Sequence, residues 1–421
     1  MAPYLLFLIF YSVKALDKLL YVIEYGRHGA RYPEFALLPW NQAPMDLTGA
    51  GMRQQYLLGR AIRDHYKDFL DSQYNPKQIK VRSTYKHRTI ASAYARVMGL
   101  YHSQSQNNLT REEAKRALPP NAFDYGDWVE ELGDKAVKGG MQVVPVSCVG
   151  IDNDYLLEPK IACPTLASVT KAYKKLHSNE IEAFHQNNKK LYQKLFRVAN
   201  ISERDLNKND ILKVRNSLAC GLFEGKLGID NKHAAELDKN STFIYYRLKF
   251  NNYQKVSYGD YKVSKVMATP FLQHVKRTLL QIAQGKNTER KYEMYVASDT
   301  LMHAILLQLG YYDEIEVPFS SVLYFELYRT IKGSYYINVI FNSAPNKKYG
   351  LKEFSTLIDK ATYSENDFKN YCTHYTIREA PRIGLVMIGL IGGSLLLIVY
   401  MIIAYLKRYQ GRKLLTDKEY C

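Results

Sequence analysis

The sequence predicts an α/β fold in which a mainly parallel β-sheet is flanked by helices. Short runs of aliphatic and aromatic residues, typical of buried strands, are each followed by a longer stretch with the apolar periodicity of a helix. Alternating strands and helices indicate parallel strands joined by helical crossovers. Three such pairs occur, at residues 19–25 and 51–66, at 79–82 and 88–101, and at 292–297 and 300–309.

Local signals set the limits of the first two pairs. Residues 19–25 (LLYVIEY) form an apolar run that ends at Gly26, and either Asp46 or Thr48 can cap the helix that follows. Residues 79–82 (IKVR) form a second short strand that runs directly into a helical pattern. Strand, loop and helix therefore repeat in the order expected of an α/β domain.

The middle of the chain has a different pattern, with helical stretches interrupted by turns rich in Asn, Lys and Gly. We interpret residues 111–255 as an inserted, smaller helical domain. The α/β domain is then discontinuous, made of residues 16–110 and 256–375, and it closes with strand-like segments near 322–328 and 335–341.

The two ends of the chain predict a type I membrane protein. Residues 1–15 contain a short apolar run followed by small or apolar residues at the positions that signal peptidase recognises, as in a cleaved signal peptide. The alternative is a buried N-terminal strand. After a juxtamembrane stretch at 376–382, residues 383–406 form an uncharged apolar segment, about 36 Å long as a helix. Basic residues follow at once, which places the tail, 407–421, in the cytoplasm. The ectodomain is then extracellular or lumenal, at the cell surface or in a lysosome-like compartment.

The formal net charge of +17 indicates anionic ligands. Nucleic acid is a poor explanation for a lumenal protein, so anionic substrates, lipid or glycan are the expected contacts. Three Asn-X-Ser/Thr sequences, at Asn108, Asn200 and Asn240, are compatible with a glycosylated ectodomain.

Five cysteines also suit an oxidising compartment. Cys421 lies in the predicted tail, whereas Cys148, Cys163, Cys220 and Cys372 lie in the ectodomain, where three pairings are conceivable. No two cysteines have CxxC spacing, and the histidines do not cluster with acids. The sequence therefore predicts no metal site and no cofactor.

A dense group of basic residues follows the first strand, at residues 27–33 (RHGARYP). Ligands bind beyond the carboxyl ends of strands in open α/β sheets, so this loop is well placed to form a site. The guanidinium of one arginine can bind two phosphate oxygens at once, and a neutral imidazole nitrogen can attack phosphorus. The alternative is a surface loop with scattered bases.

These residues match the RHGxRxP motif of the histidine acid phosphatases. Residues 47–54 (LTGAGMRQ) resemble the family's LTxxGMxQ helix start, 81–84 (VRST) with 88–89 (RT) resemble its VRST…RT segment, and 325–328 (FELY) resemble a late strand. The resemblance covers most of residues 17–375, except within the helical region. It implies a phosphoglycerate-mutase-like fold and hydrolysis of phosphomonoesters without a metal.

The resemblance also implies roles for matching positions. His28 would form a phosphohistidine, and Arg27, Arg31 and Arg82 would hold the phosphate. The family's proton donor lies in a His-Asp pair after a strand, and Asp299 matches its aspartate. Because a general acid must be protonated when it acts, this implies an acidic pH optimum.

Ser298 stands where the family has the histidine of that pair. Losing a charged donor to phosphate costs about 1.5–3 kcal/mol, roughly a 10- to 200-fold loss of rate. Ser298 can still donate a neutral hydrogen bond to phosphate. Two alternatives remain open: Asp299 only caps a helix that starts near Thr300, or His303, one turn further on, replaces the missing histidine.

The remaining assignments are less direct. His87 and Arg88, close in sequence to Arg82, either add to the positive field or, as we favour, serve helix packing and salt bridges. The resemblance implies a disulfide between Cys163 and Cys372. Cys148 and Cys220 are then either unlinked or paired together.

We therefore predict an acid phosphatase that hydrolyses phosphate monoesters through a phosphohistidine. Two alternatives stay open at this point: a degenerate phosphatase that acts as an anion-binding or protein-binding membrane receptor, and a phosphomutase with the same RHG core. The signal peptide, the fuller motif and the anchor argue against the mutase. A homodimer is a candidate oligomeric state.

Overall fold

A computed structural model provides the structure of the chain, which divides into two compact units, Met1–Cys372 and Thr373–Cys421. The sheet and its flanking helices lie in the first. The described residues are 17–34, 44–103, 108–120, 124–166, 261–286, 288–311 and 317–373, with short stretches between 168 and 239.

Both chain ends lie outside the described residues. The predicted signal peptide (1–15), juxtamembrane segment (376–382), membrane span (383–406) and tail (407–421) all fall there. Of the helices within the described ranges, none is both long enough and apolar enough to cross a bilayer. The assignment of these segments remains a prediction from sequence.

Seven strands form one sheet in the order β3-β2-β4-β1-β5-β6-β7. They are β1 (Lys18–Arg27), β2 (Ile79–Thr84), β3 (Ser147–Val149), β4 (Tyr292–Ala297), β5 (Val322–Arg329), β6 (Tyr335–Phe341) and β7 (Lys347–Gly350). The described helices are α1 (Gly49–His65), α2 (His87–Leu100), α3 (Arg111–Arg116), α4 (Gly126–Leu132), α5 (Pro159–Ala162), α6 (Ser178–Asn187), α7 (Tyr261–Ala283), α8 (Asp299–Gln308), α9 (Leu351–Ala361) and α10 (Glu365–Thr373).

The sheet is mixed, which corrects the expectation of a mainly parallel sheet. From β3 to β1 the neighbouring strands are parallel. From β1 to β7 they are antiparallel. The short turn over residues 330–334 between β5 and β6 explains part of the difference, because a connection of that length cannot cross over to start a parallel strand.

Helices cover both faces of the sheet, as its buried strands require. Alternate residues of β1 point in opposite directions: Ile23 packs with the cluster formed by α7, α8 and α9, whereas Val22 packs with the cluster formed by α1 and α2. On one side Phe271 of α7 is fully buried, and on the other Leu100 of α2 is. The result is a three-layer α/β/α arrangement.

The segment predicted as a helical insertion contributes to this sheet. Strand β3, at its edge, lies within 111–255 and pairs with β2. Helices α3, α4, α5 and α6 also lie in this segment. The boundaries of a separate helical domain remain a prediction.

A disulfide joins Cys163 to Cys372, with the two Cα atoms 5.0 Å apart. This is the pairing that the family resemblance implies. Cys148 is partly buried and Cys220 is buried.

One of the three predicted glycosylation sites can be located. Asn108 is exposed, and its side-chain oxygen accepts a hydrogen bond of 2.7 Å from the Lys135 ammonium. Asn200 and Asn240 lie outside the described residues.

Candidate active site

The parallel half of the sheet brings distant segments to one edge. Arg27, the last residue of β1, lies opposite Ala297, the last residue of β4, and the His28 amide donates to the Ala297 carbonyl at 3.0 Å. Strand β2 runs in the same direction beside β4. The loops that follow β1, β2 and β4 therefore meet at the carboxyl ends of the strands, where open α/β sheets bind ligands.

A cavity of about 290 Å³ opens at this edge. Basic, acidic and apolar side chains all contribute to its wall. The residues bearing on phosphate chemistry are Arg27, His28, Arg31, Arg88, Ser298 and Asp299.

The His28 imidazole is buried, with an exposed fraction of 2%, and is held in one tautomer. Its Nδ1 lies 2.7 Å from the Gly29 carbonyl oxygen. Because a carbonyl only accepts, Nδ1 carries the proton and Nε2 keeps its lone pair. Burial, followed by the charges of Arg27, Arg88 and Arg31, holds the pKa of His28 well below its ordinary value. The ring is therefore neutral, in a cavity that carries positive charge.

Arg27 is fixed on three sides. One nitrogen donates to the Val317 carbonyl, and Nη2 lies 3.2 Å from Oδ2 of Asp299. The guanidinium carbon also lies 4.3 Å from the centre of the Phe319 ring, a cation–π contact. This group is therefore placed before any anion binds.

Arg31 is partly buried and lines the cavity. Its Nη1 donates to the Tyr32 carbonyl at 2.8 Å and to Oδ1 of Asn216 at 3.4 Å. Asn216 belongs to the sparsely described region between 168 and 239. Asn216 therefore contacts a residue of the cavity wall.

Arg82, predicted to bind phosphate, has a different environment. It forms an ion pair with Asp154, whose side chain is fully buried, and it does not line the cavity. Arg82 lies within β2, two residues before the end of the strand, and not in the loop that follows it.

Arg88 takes the place expected of Arg82. It lies in the first turn of α2 and lines the cavity, and its buried Nε has no hydrogen-bond partner among the described residues. Burial, together with the nearby Arg31, lowers the pKa of Arg88 to about 10, so the group stays charged near neutral pH. The structure therefore places Arg88 in the cavity wall, where the sequence favoured helix packing or a salt bridge. The RT pair at residues 88–89 is the sequence signal for this position.

Asp299 and Ser298 both line the cavity at the start of α8. The helix begins at Asp299, and Ser298 is the N-cap residue, without a side-chain capping bond. The alternative in which Asp299 caps a helix starting at Thr300 is therefore wrong by one residue. The Asp299 carboxylate faces Arg27 instead.

Neither additional histidine enters the cavity. His303 is buried, and its Nδ1 donates to the Asp299 carbonyl at 2.8 Å, within the helix. His87 is exposed, 3.6 Å from a carboxylate oxygen of Asp46. In the part of the chain that the structure describes, no three His, Cys, Asp or Glu side chains are placed to share a metal ion.

Known acid phosphatases are similar to most of the chain. The lysosomal acid phosphatase of Xenopus laevis is 24% identical over 404 residues, covering 90% of this chain and 84% of the relative. The human lysosomal enzyme is 25% identical over 333 residues, covering 76% of this chain and 70% of the relative. Bovine prostatic acid phosphatase is 26% identical over 336 residues, covering 75% of each chain.

Solved structures share the fold. The phytase of Citrobacter braakii superposes with a TM-score of 0.55 at 16% identity, covering 82% of this chain and 98% of the phytase. The Hafnia alvei phytase gives 0.55 at 13% identity, covering 82% and 97%. Residues 35–342 match the profile of the Histidine phosphatase superfamily (branch 2). With this fold and the arginine-lined His28 at its sheet edge, the chain belongs to that superfamily.

Proposed function

We propose that the chain is an acid phosphatase that hydrolyses phosphate monoesters through a phosphohistidine at His28. The observation that carries this proposal is the state of the His28 imidazole: Nδ1 donates to Gly29, so Nε2 is left unprotonated in a cavity lined by three arginines. An unprotonated nitrogen beside fixed positive charges can attack a phosphorus atom whose oxygens those charges bind.

In the first step, the lone pair of Nε2 attacks phosphorus and the bond from phosphorus to the ester oxygen breaks. Arg27, Arg31 and Arg88 neutralise the charge on the three equatorial oxygens. The departing oxygen takes its proton from the Asp299 carboxyl group, which lies at the cavity wall. The products are phosphohistidine and a free alcohol.

In the second step, water attacks phosphorus from the side the alcohol has left. The Asp299 carboxylate accepts a proton from this water, and the bond between phosphorus and Nε2 breaks. Inorganic phosphate leaves and the neutral imidazole returns. In this proposal Ser298, whose side chain also lines the cavity, donates a neutral hydrogen bond to phosphate in place of a charged one.

We also propose that the protein is a single-pass type I membrane protein with a lumenal catalytic unit. The support comes from the apolar segment 383–406 followed by basic residues, and from the lysosomal acid phosphatases among its relatives. Protease protection of the tail in sealed vesicles tests this orientation.

The catalytic proposal is tested by hydrolysis of an aryl phosphate by the purified protein from about pH 4 to pH 8. We expect activity that is highest in acid and is lost in His28→Ala. Ser298→His should raise kcat, by at most about 10- to 200-fold, because it restores a charged donor. A folded wild-type protein that binds phosphate but hydrolyses nothing would instead support the receptor alternative.

A further inference from the structure

An ion pair forms part of the same cavity as His28. The Lys86 ammonium contacts Oε1 of Glu158, and both side chains line the cavity. Lys86 is the N-cap residue of α2 and lies two residues before Arg88, so the start of one helix carries both cations. The pair is largely withdrawn from water, with exposed side-chain fractions of 22% for Lys86 and 8% for Glu158.

Transfer of the phosphoryl group does not require this pair, and its hydrogen-bonding capacity is only partly used. Glu158 precedes α5 but makes no side-chain capping bond to it. Within the described residues, the ion pair is the only hydrogen bond that either charged group makes. An ammonium has three donors and a carboxylate accepts at both oxygens, so donors and an acceptor remain available together. An ion pair that is removed from water is stabilised by further hydrogen bonds at these positions.

The remaining donors of Lys86 and the remaining acceptor positions of Glu158 are suited to binding hydroxyl groups. A hydroxyl can accept from Lys86, and it or its neighbour can donate to Glu158. A second phosphate would be attracted by Lys86 but repelled by Glu158, because a carboxylate and a phosphate are both negatively charged. Leu157 and Ile161, beside the pair in the cavity wall, provide apolar surface for the carbon-bound hydrogens of such a group.

We propose that Lys86 and Glu158 form the leaving-group subsite, which selects singly phosphorylated substrates whose alcohol carries further hydroxyls, such as polyol and sugar phosphates. This inference rests on the proposed phosphatase function and adds the substrate class to it. Lys86 and Glu158 are then specificity-determining residues, distinct from the groups that bind the phosphate being transferred.

The test compares two substrates that differ only in hydroxyls, glycerol 3-phosphate and n-propyl phosphate. We expect the wild-type protein to have the higher kcat/KM for the glycerol ester. Glu158→Gln and Lys86→Met should each reduce the ratio of the two kcat/KM values by about 10-fold or more, because buried groups built for a substrate hydroxyl lose their partner. Lys86→Arg should retain part of this selectivity.

A matched control is the exposed pair of Lys77 and Glu289, 3.2 Å apart and far more accessible. Lys77→Gln should leave the ratio as in the wild type. A second probe is glycerol 2,3-bisphosphate, for which Glu158→Gln should raise kcat/KM relative to the wild type. A general loosening of the site would lower all rates together and would not produce these opposite changes.

Equilibrium binding to His28→Ala separates this inference from the proposed function. Tighter calorimetric binding of glycerol 3-phosphate than of n-propyl phosphate, weakened by adding Glu158→Gln, supports the subsite even if the wild type proves inactive. Equal binding of both esters, or a ratio that neither variant changes in an active enzyme, overturns it. Preferred hydrolysis of myo-inositol hexakisphosphate over glycerol 3-phosphate also overturns it.

Discussion

At the scale of single residues, the chemistry of the site depends on which side chains carry a proton in the folded protein. The His28 imidazole would be about half protonated near pH 6.5 in water, whereas burial and three nearby arginines favour its neutral form. Asp299, in contrast, must carry a proton to serve a leaving group. The two requirements are compatible only in acid, where the histidine's lowered pKa still leaves it neutral.

This difference predicts the pH dependence of catalysis. Because the folded pKa of His28 lies below its ordinary value, the neutral form persists as pH falls through 6.5. We expect kcat/KM for an aryl phosphate to be maintained or to rise between about pH 6.5 and pH 5. Steady-state kinetics across this range provide the measurement. A loss of activity with a midpoint near pH 6.5 on acidification would show that His28 titrates like a solvated histidine.

The two candidate arginines make separate predictions. Arg88→Ala removes a charged donor from the cavity and should lower kcat/KM by roughly 10- to 200-fold with little change in stability. Arg82→Ala leaves the buried Asp154 carboxylate without its partner and should cost about 3 kcal/mol of unfolding free energy. Kinetics and urea unfolding on both variants distinguish the two roles. The reverse pattern would return the phosphate-binding role to Arg82.

At the scale of elements, α1 and α2 hold two parts of the site together. Gln55 of α1 donates to the Arg27 carbonyl at 3.0 Å, and α2 carries Arg88. The helices approach closely at glycines: a Cβ on Gly99 would lie 2.0 Å from the Tyr56 carbonyl oxygen. The backbone contact leaves no space for even a methyl group, so the helix pair depends on glycine there.

Gly99→Ala should therefore destabilise the fold by about 1–3 kcal/mol, because backbone must move to admit the methyl group. The urea midpoint measures this change, and activity should fall as α1 and α2 separate. Gly49→Ala is the matched control, since a Cβ at this first residue of α1 meets nothing within 4 Å. Equal stability of the two variants would show that the helix contact adapts without strain.

At the scale of the whole molecule, the disulfide joins residues 209 positions apart. Cys163 lies just after α5, which carries part of the cavity wall, and Cys372 lies in α10, at the end of the first compact unit. Both sulfurs are buried in the core on the α7, α8 and α9 side of the sheet. The bond therefore restrains the unfolded chain over a long loop.

Replacing both cysteines by serine should lower the unfolding free energy by about 2–5 kcal/mol. Chemical unfolding of the wild type and the double variant, without reductant, measures the loss. The wild type in reductant should approach the variant's stability. An unchanged unfolding midpoint would show that the core packing around α10 holds without the bond.

Local sequence determined the strand and helix pairs and the RHGxRxP loop with its proposed nucleophile, because each depends on residues close together in the chain. Tertiary structure alone decided the mixed sheet, since strand direction depends on how the connections run. It also decided which arginine reaches the cavity, because Arg82 pairs with the buried Asp154 whereas Arg88 lines the cavity. The pairing of Lys86 with Glu158 likewise arises only when the folded sheet brings two distant loops to one edge.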